Sequence, residues 1–294
     1  MVDNLDELGE VQTVSGNSTA ISQIHSGADH QTGNRQLLRT EKIYRPSEDQ
    51  FEDVPFIAGN SVRGHLRRLL AEDLLDRLDY TVRDERLFHL LRAGGVLEKA
   101  SGNSNIDVEL RREVRDAFPV IDLLGGSTGS QMFGGSVNVH HMILVCEENN
   151  WRTDEQSDIS WRQFVDKMFQ TRRHDEPDDT GIDTDFGFNF DGDGSQEDPG
   201  SQKMIYHFDT IVPGARFEHS VRTESFTSEL AYSCLLHGLR LWQDDGIIGG
   251  MSAAGLGRID IDYDADLSQS DRYVDYVEES GDEIIEALDT LSKK

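Results

Sequence analysis

The alternation of apolar and polar positions divides the chain into strand-like and helix-like segments. Strand patterns cover about 11–24, 136–146, 204–222 and 256–263, and helix patterns cover about 61–80 and 225–242. The last strand alternates most clearly, with Ile259, Ile261 and Tyr263 on one face. This order, βαββαβ, predicts an α+β fold with a ferredoxin-like core, similar to an RNA-recognition motif, in which helices cover one face of a sheet.

Two large insertions and a tail fall outside this core. The segment 82–118 has a helical pattern, and the segment 151–202 begins with a short helical pattern at 161–168 before a stretch too rich in Gly and Asp to pack tightly. The spacing of apolar residues in the tail, 268–294, predicts an acidic amphipathic helix that lies on the body or on an adjacent copy of the chain. We therefore expect one domain over 1–267, whose core is interrupted by these two insertions, followed by the C-terminal helix at 268–294.

The charge balance indicates the salt environment of the protein more than its chemistry. Asp and Glu total 56 against 28 Lys and Arg, a net charge of -28, and the chain has only six lysines. This predicts a protein adapted to high salt, as in a halophile; the alternative is an ordinary acidic surface. Such a charge opposes nucleic-acid binding. At about 1 M salt, however, the Debye length is about 3 Å, so distant carboxylates are screened and the arginines next to the nucleic acid determine whether it binds.

Cysteine usage and hydropathy favour the cytoplasm. Cys146 and Cys234 lie far apart and lack metal-ligand spacing, as expected of core thiols in a reducing compartment. No apolar run approaches the roughly 20 residues of a membrane span. We expect a cytoplasmic protein without a membrane partner.

The segment 54–68 joins a strand-like stretch to a glycine turn and an arginine-bearing helix start. Gly59 permits the turn, Asn60 or Ser61 can cap the helix, and Gly64 lets another backbone come close. The first-turn amides can then meet phosphate oxygens. The alternative is an amphipathic helix with solvated arginines. The residues expected to contact an RNA backbone, with the two arginines on one outward face, are Asn60, Ser61, Arg63, Gly64 and Arg67.

The pattern Pro-x-Ile-x-Gly-Asn-Ser-x-Arg-Gly-x-Leu-Arg, from Pro55 to Arg67, resembles the signature of the RAMP superfamily of CRISPR effector proteins, in particular the Cas7-type backbone subunits. The segments IVPGARF at 211–217 and GGMSAAGLGR at 249–258 resemble two further family segments in the same order. The resemblance is closest to type III and type IV members.

This resemblance implies a subunit that binds CRISPR RNA, polymerises along it and presents it to a target nucleic acid by base pairing. The implied partners are the guide, the target, other copies of the chain and other effector subunits. It also implies a thumb within 151–202, with Phe186, Phe188 and Phe190 as contact residues. The alternative outside RNA binding is a purely structural assembly subunit.

Two more segments are candidate RNA contacts. The glycine-rich loop would let a backbone lie on Gly255 and Gly257 beside Arg258, unless it is only a tight connection. The segment 31–51 carries Arg39 and Arg45 in an otherwise acidic chain, unless it is a solvated loop.

Catalysis is the alternative function. Type III relatives cut target RNA with an acidic residue after the first strand and a divalent metal, and Asp29 occupies that stretch here, between His25 and His30. Asp29 would then be catalytic, with Mg²⁺ as cofactor; otherwise it makes turn hydrogen bonds and we expect no cofactor.

No other metal site is expected. A calcium-like loop begins at Asn189 and Asp191, but Gly200 stands where a bidentate Glu is required. His65 and His237 lie on predicted helices, where we expect hydrogen-bonded structural histidines.

Overall fold

The computed structural model describes residues 10–32, 35–45, 48–95, 108–128, 131–172 and 204–293. Within these ranges the chain forms mainly antiparallel sheets, with one parallel pair between β3 and β11, and α-helices, so the predicted α+β class is confirmed. In chain order the strands are β1 (Thr13–Ala20), β2 (Gly27–Thr32), β3 (Arg35–Leu38), β4 (Thr40–Arg45), β5 (Gln50–Ile57), β6 (Gly126–Thr128), β7 (Gln131–Phe133), β8 (Val137–Val139), β9 (Met142–Leu144), β10 (Val165–Arg172), β11 (Met204–Ile211), β12 (Arg216–Thr223) and β13 (Ile259–Tyr263). The helices are α1 (Gly59–Arg77), α2 (Glu85–Ala93), α3 (Val108–Ala117), α4 (Pro119–Leu124), α5 (Glu229–Asp245), α6 (Asp271–Glu279) and α7 (Gly281–Lys293).

The larger sheet has the order β13-β1-β12-β9-β5-β4, with β8 also paired to β12, and all of these pairs are antiparallel. Helices α1 and α5 pack together over its apolar face, where Phe217 and Trp242 are fully buried. A Cβ atom at Gly238 of α5 would lie 3.0 Å from Leu70 of α1, so this glycine permits their close contact.

The smaller sheet, with the order β10-β11-β3-β2, was not predicted. The prediction of one strand over 204–222 is wrong, because a turn at Pro213 and Gly214 separates β11 in the smaller sheet from β12 in the larger one. The helical reading of 161–168 is also wrong after Phe164, since a 3-10 turn over Trp161–Phe164 leads into β10, which pairs along its length with β11. The predicted strand over 136–146 is divided into β8 and β9.

The elements outside the core pack against it. The segment 82–118 contains α2 and α3, and the tail forms two helices, α6 and α7, with the break at Ser280. The tail contacts the body through hydrogen bonds from Tyr80 Oη to Asp289 (2.8 Å) and from Tyr276 Oη to the Asp116 carbonyl (3.1 Å).

Some predictions remain open after this comparison. The ferredoxin-like assignment and the domain boundaries stay predictions. The three candidate thumb phenylalanines and the calcium-like loop lie outside the described residues.

Candidate nucleic-acid interface

Helix α1 begins two residues before the predicted start, at Gly59, and its N-cap residue Ala58 makes no side-chain cap bond. The cap comes instead from His141, whose Nδ1 accepts a 2.9 Å hydrogen bond from the Gly59 amide. A Cβ atom at Gly59 would lie 2.2 Å from the Val139 carbonyl oxygen. Gly59 therefore allows the helix start to approach the β8–β9 connection, and the capping role expected of Asn60 or Ser61 is wrong.

The side chain of Arg67 does not face outward as expected. It is 5% exposed, and its Nη2 donates to the carbonyls of Leu124 and Gly125 at 2.8 Å each, at the C-terminal end of α4. Arg63 also donates to the Leu124 carbonyl and is half-buried. Cations suit a helix C-terminus because its carbonyls are unpaired and carry partial negative charge.

Burial makes this arginine pair electrostatically unusual. Desolvation lowers the pKa of Arg67 to about 10, with the neighbouring Arg63 charge adding to the effect, and desolvation also lowers the pKa of Arg63. Among the described residues, Arg67 Nη1 has no hydrogen-bond partner. The pair thus connects α1 to α4 and stabilises the N-terminal half of α1.

The exposed surface of the first turns of α1, here called the α1 face, consists of Asn60, Ser61, Gly64 and Arg68. Asn60, Ser61 and Arg68 are exposed and Gly64 is partly so, and the nearest atom to a Cβ at Gly64 would be Arg68 Nη1 at 3.6 Å. The close backbone approach expected at Gly64 occurs at Gly59 instead. Sequence reasoning missed Arg68, although its position one residue after Arg67 was visible in the same motif.

The glycine-rich loop, Gly249–Arg258, lies at the start of β13. Gly249, Gly255 and Gly257 all have φ between 84° and 87°, which side chains disfavour. A Cβ atom at Gly257 would lie 2.2 Å from the Ile248 carbonyl, whereas Gly255 has open space around it. Gly255 and Arg258 are exposed, so this part of the loop offers backbone and a cation to a ligand.

The loop adjoins the stretch that carries the candidate catalyst. The Gly250 amide donates to the His25 carbonyl at 2.9 Å, and a ring nitrogen of His25 lies 2.8 Å from the Asp209 carbonyl oxygen. His25 is 5% exposed and is therefore a packed residue rather than an open ligand. The backbone of Asp29 lies in β2; its side chain, like that of His30, is outside the described part of the structure, so catalysis by Asp29 stays a prediction.

Two of the four basic residues of 31–51, Arg35 and Arg45, are paired with carboxylates. Arg45 lies 2.8 Å from Glu48, 2.9 Å from Glu147 and 3.4 Å from Glu52. These carboxylates compete with any phosphate for the guanidinium. Arg39 lies beside β5, since its carbonyl accepts from the Phe56 amide at 3.2 Å.

The helix histidines and the cysteines are structural. His65 Nε2 lies 2.9 Å from Asp245, and His237 Nε2 lies 2.8 Å from Asp73, as the sequence predicted. The first contact connects α1 to the last residue of α5, a few positions before the glycine-rich loop. Both thiols are buried, and burial raises the pKa of Cys146 to about 12.

A cleft of about 860 Å³ on the open face of the larger sheet was not predicted. Alternate polar residues of β1 and β12 line it, including Ser15, Asn17 and Ser220. Glu218 accepts hydrogen bonds from the amides of Asp154 (2.9 Å) and Glu155 (2.7 Å), which fixes a loop over the cleft. Its lining has three carboxylates against one arginine and three histidines, which makes it a poor phosphate site.

Two features are absent from the part of the chain that the structure describes. No group of three or more His, Cys, Asp or Glu side chains has the geometry to hold a metal ion. No helix in the same ranges has the length and apolar character that crossing a bilayer requires.

The comparisons with known proteins point to one fold. No protein-family model matches the chain, and no curated protein matches it. A chain of a solved structure described as "Type IV-B CRISPR Complex" superposes with a TM-score of 0.59 at 18% sequence identity. The alignment covers 86% of this chain and 91% of that chain. The two chains therefore share a fold along most of their length.

Proposed function

We propose that this chain is a Cas7-type subunit of a CRISPR effector complex that binds CRISPR RNA, assembles with other copies along it and presents it for target pairing. The observation that carries the proposal is the match along most of both chains to a subunit of a type IV-B CRISPR complex. The three ordered motifs in the sequence support it independently. Target specificity comes from pairing with the guide, so the subunit does not have to read the target bases itself.

The contacts with RNA come from exposed parts of the predicted segments. On the α1 face, Asn60, Ser61 and Arg68 meet phosphate and sugar, and the loop contributes Arg258 and the open backbone at Gly255. Arg67 is buried, so its role is to hold α1 in place. Phosphate contacts weaken in high salt, so packing between copies and base stacking supply much of the affinity.

The decisive experiment is to purify the tagged chain from its native host at high salt and to sequence the nucleic acid bound to it. Short RNAs with one constant repeat-derived end and variable spacer sequence are the expected result. A folded, assembled sample that carries no RNA would contradict guide binding and favour the structural-subunit alternative.

A matched pair of double variants tests the contact surface. Arg68→Glu with Arg258→Glu should reduce RNA retention strongly, because both side chains are exposed at the proposed interface. Arg240→Glu with Arg272→Glu makes the same change in net charge on exposed arginines of α5 and α6, and retention should persist. Equal loss in both would indicate a nonspecific charge effect. Substituting Arg67 is not a clean test because it is buried.

A second candidate function is metal-dependent cutting of target RNA. It is favoured by one observation, the contact between the Asp29-bearing stretch and the glycine-rich loop through His25 and Gly250. In the assembled complex with Mg²⁺, Asp29→Ala should abolish target cleavage and leave guide binding intact. Unchanged cleavage would eliminate Asp29 as the catalyst.

A further inference from the structure

A pocket of about 410 Å³ lies where the two sheets meet, at the base of the β10–β11 hairpin. Its walls are apolar, with Phe56 from β5, Trp161 from the 3-10 turn and Val165 from β10. The polar lining residues are Arg39, Thr40 and Asp209, and the remaining lining residues are Ala28, Leu37, Leu38 and Pro55. Apolar walls with a few converging polar groups are typical of small-molecule sites of this size.

The aromatic wall is held in place before any ligand binds. Trp161 Nε1 donates to Glu52 Oε1 at 3.2 Å, and the Arg162 guanidinium lies 5.0 Å from the centre of the indole ring while pairing with the same Glu52. Because the indole is fixed at its polar edge, a planar group can stack on it at little entropic cost.

The carboxylate of Asp209 is also held in place. Asp209 is 6% exposed, and Arg35 binds its carboxylate oxygens through two nitrogens, with the shortest contacts at 2.7 Å. A carboxylate oxygen can accept more than one hydrogen bond, so Asp209 can still accept one from a ligand.

We propose that this pocket binds a single nucleobase of RNA, stacked on Trp161, with its exocyclic amino group donating to Asp209. This deepens the proposed function and rests on it. Asp and Glu accept hydrogen bonds from the amino group of cytosine. Uracil is the one RNA base without an exocyclic amino group, so the pocket binds uracil less well than the other bases. Stacking also explains affinity in a chain of net charge -28, because it does not require phosphate neutralisation.

The test uses RNA-free protein at high salt. In a Trp151→Phe background, CMP should quench tryptophan emission saturably, UMP should do so much less, and excitation at the red edge of indole absorption avoids nucleotide absorbance. With single-stranded oligo(C) RNA, Trp161→Leu should weaken binding by about tenfold to a hundredfold. Ala28→Leu, which fills the pocket, should have a similar effect, whereas Trp151→Leu at an exposed position should have none.

The outcomes separate this inference from the proposed function. If wild type binds oligo(C) RNA and both pocket variants bind it equally well, the pocket assignment is overturned while RNA binding stands. If wild type binds no RNA, the proposed function fails, and the CMP titration then tests the pocket separately. An absence of saturable quenching by CMP would overturn the nucleobase assignment. A Trp161→Leu protein that does not fold leaves Ala28→Leu to decide. Equal quenching by CMP and UMP would overturn the role of Asp209.

Discussion

His219 is a neutral histidine in the core, and it should make stability depend on pH. It is 6% exposed and lies edge-on to Trp242 and Tyr263, with ring centres 5.5 and 5.6 Å away. Burial lowers its pKa to about 4, against about 6.5 in the unfolded chain. Between those values the unfolded chain takes up a proton that the folded protein does not, so stability falls as the pH decreases, by up to about 3 kcal/mol.

His219→Phe should therefore flatten the pH dependence of the unfolding free energy between about pH 6.5 and 4.5. Urea unfolding at several pH values measures this. His89→Gln, which changes a more exposed histidine on α2, should keep the slope of the wild type. A His219→Phe slope equal to that of the wild type would refute the assignment.

Arg67 should matter for stability far more than its neighbour on the same helix. Arg67→Met removes two hydrogen bonds to carbonyls at the end of α4 and should cost about 1–3 kcal/mol. Arg68→Met changes an exposed side chain and should stay within about 0.5 kcal/mol of wild type. Urea unfolding compares the two variants, and equal losses would mean that the buried contacts contribute little.

At the scale of elements, the start of α1 is held by a residue 82 positions away in sequence. His141→Phe removes the acceptor for the Gly59 amide and should destabilise the protein by about 1 kcal/mol. Asn60→Ala, at the cap position that the local sequence suggests, should change stability by less than about 0.5 kcal/mol. Urea unfolding compares the two variants. A larger loss of stability in Asn60→Ala than in His141→Phe would mean that Asn60, and not His141, caps the helix.

These elements show what the sequence can and cannot predict. Periodicity found α1, α5 and β13 because each buries one face against the same core. It missed the smaller sheet, because β3 and β11, which lie far apart in the sequence, must pair to join the β2–β3 and β10–β11 pairs, and such a contact leaves no local signal. For the candidate site, the motif located α1 and the glycine-rich loop, but the burial of Arg67 depends on α4, and nothing in the spacing predicts that contact.

At the scale of the whole molecule, the charge of -28 should make stability depend on salt. Carboxylates that crowd the surface repel one another, and raising the salt from about 0.1 M to 1 M shortens the Debye length from about 10 Å to about 3 Å. Screening relieves repulsion in the compact state more than in the expanded one. The melting temperature should therefore rise with KCl at pH 7.

The control for this last prediction is pH. Near the sequence pI of about 4.5 the net charge approaches zero, so the same KCl titration should raise the melting temperature much less. A rise of equal size at both pH values would attribute the effect to salt acting on apolar burial rather than to charge repulsion. A melting temperature that falls with KCl at pH 7 would contradict adaptation to high salt, and with it the reason for expecting RNA binding to depend on stacking.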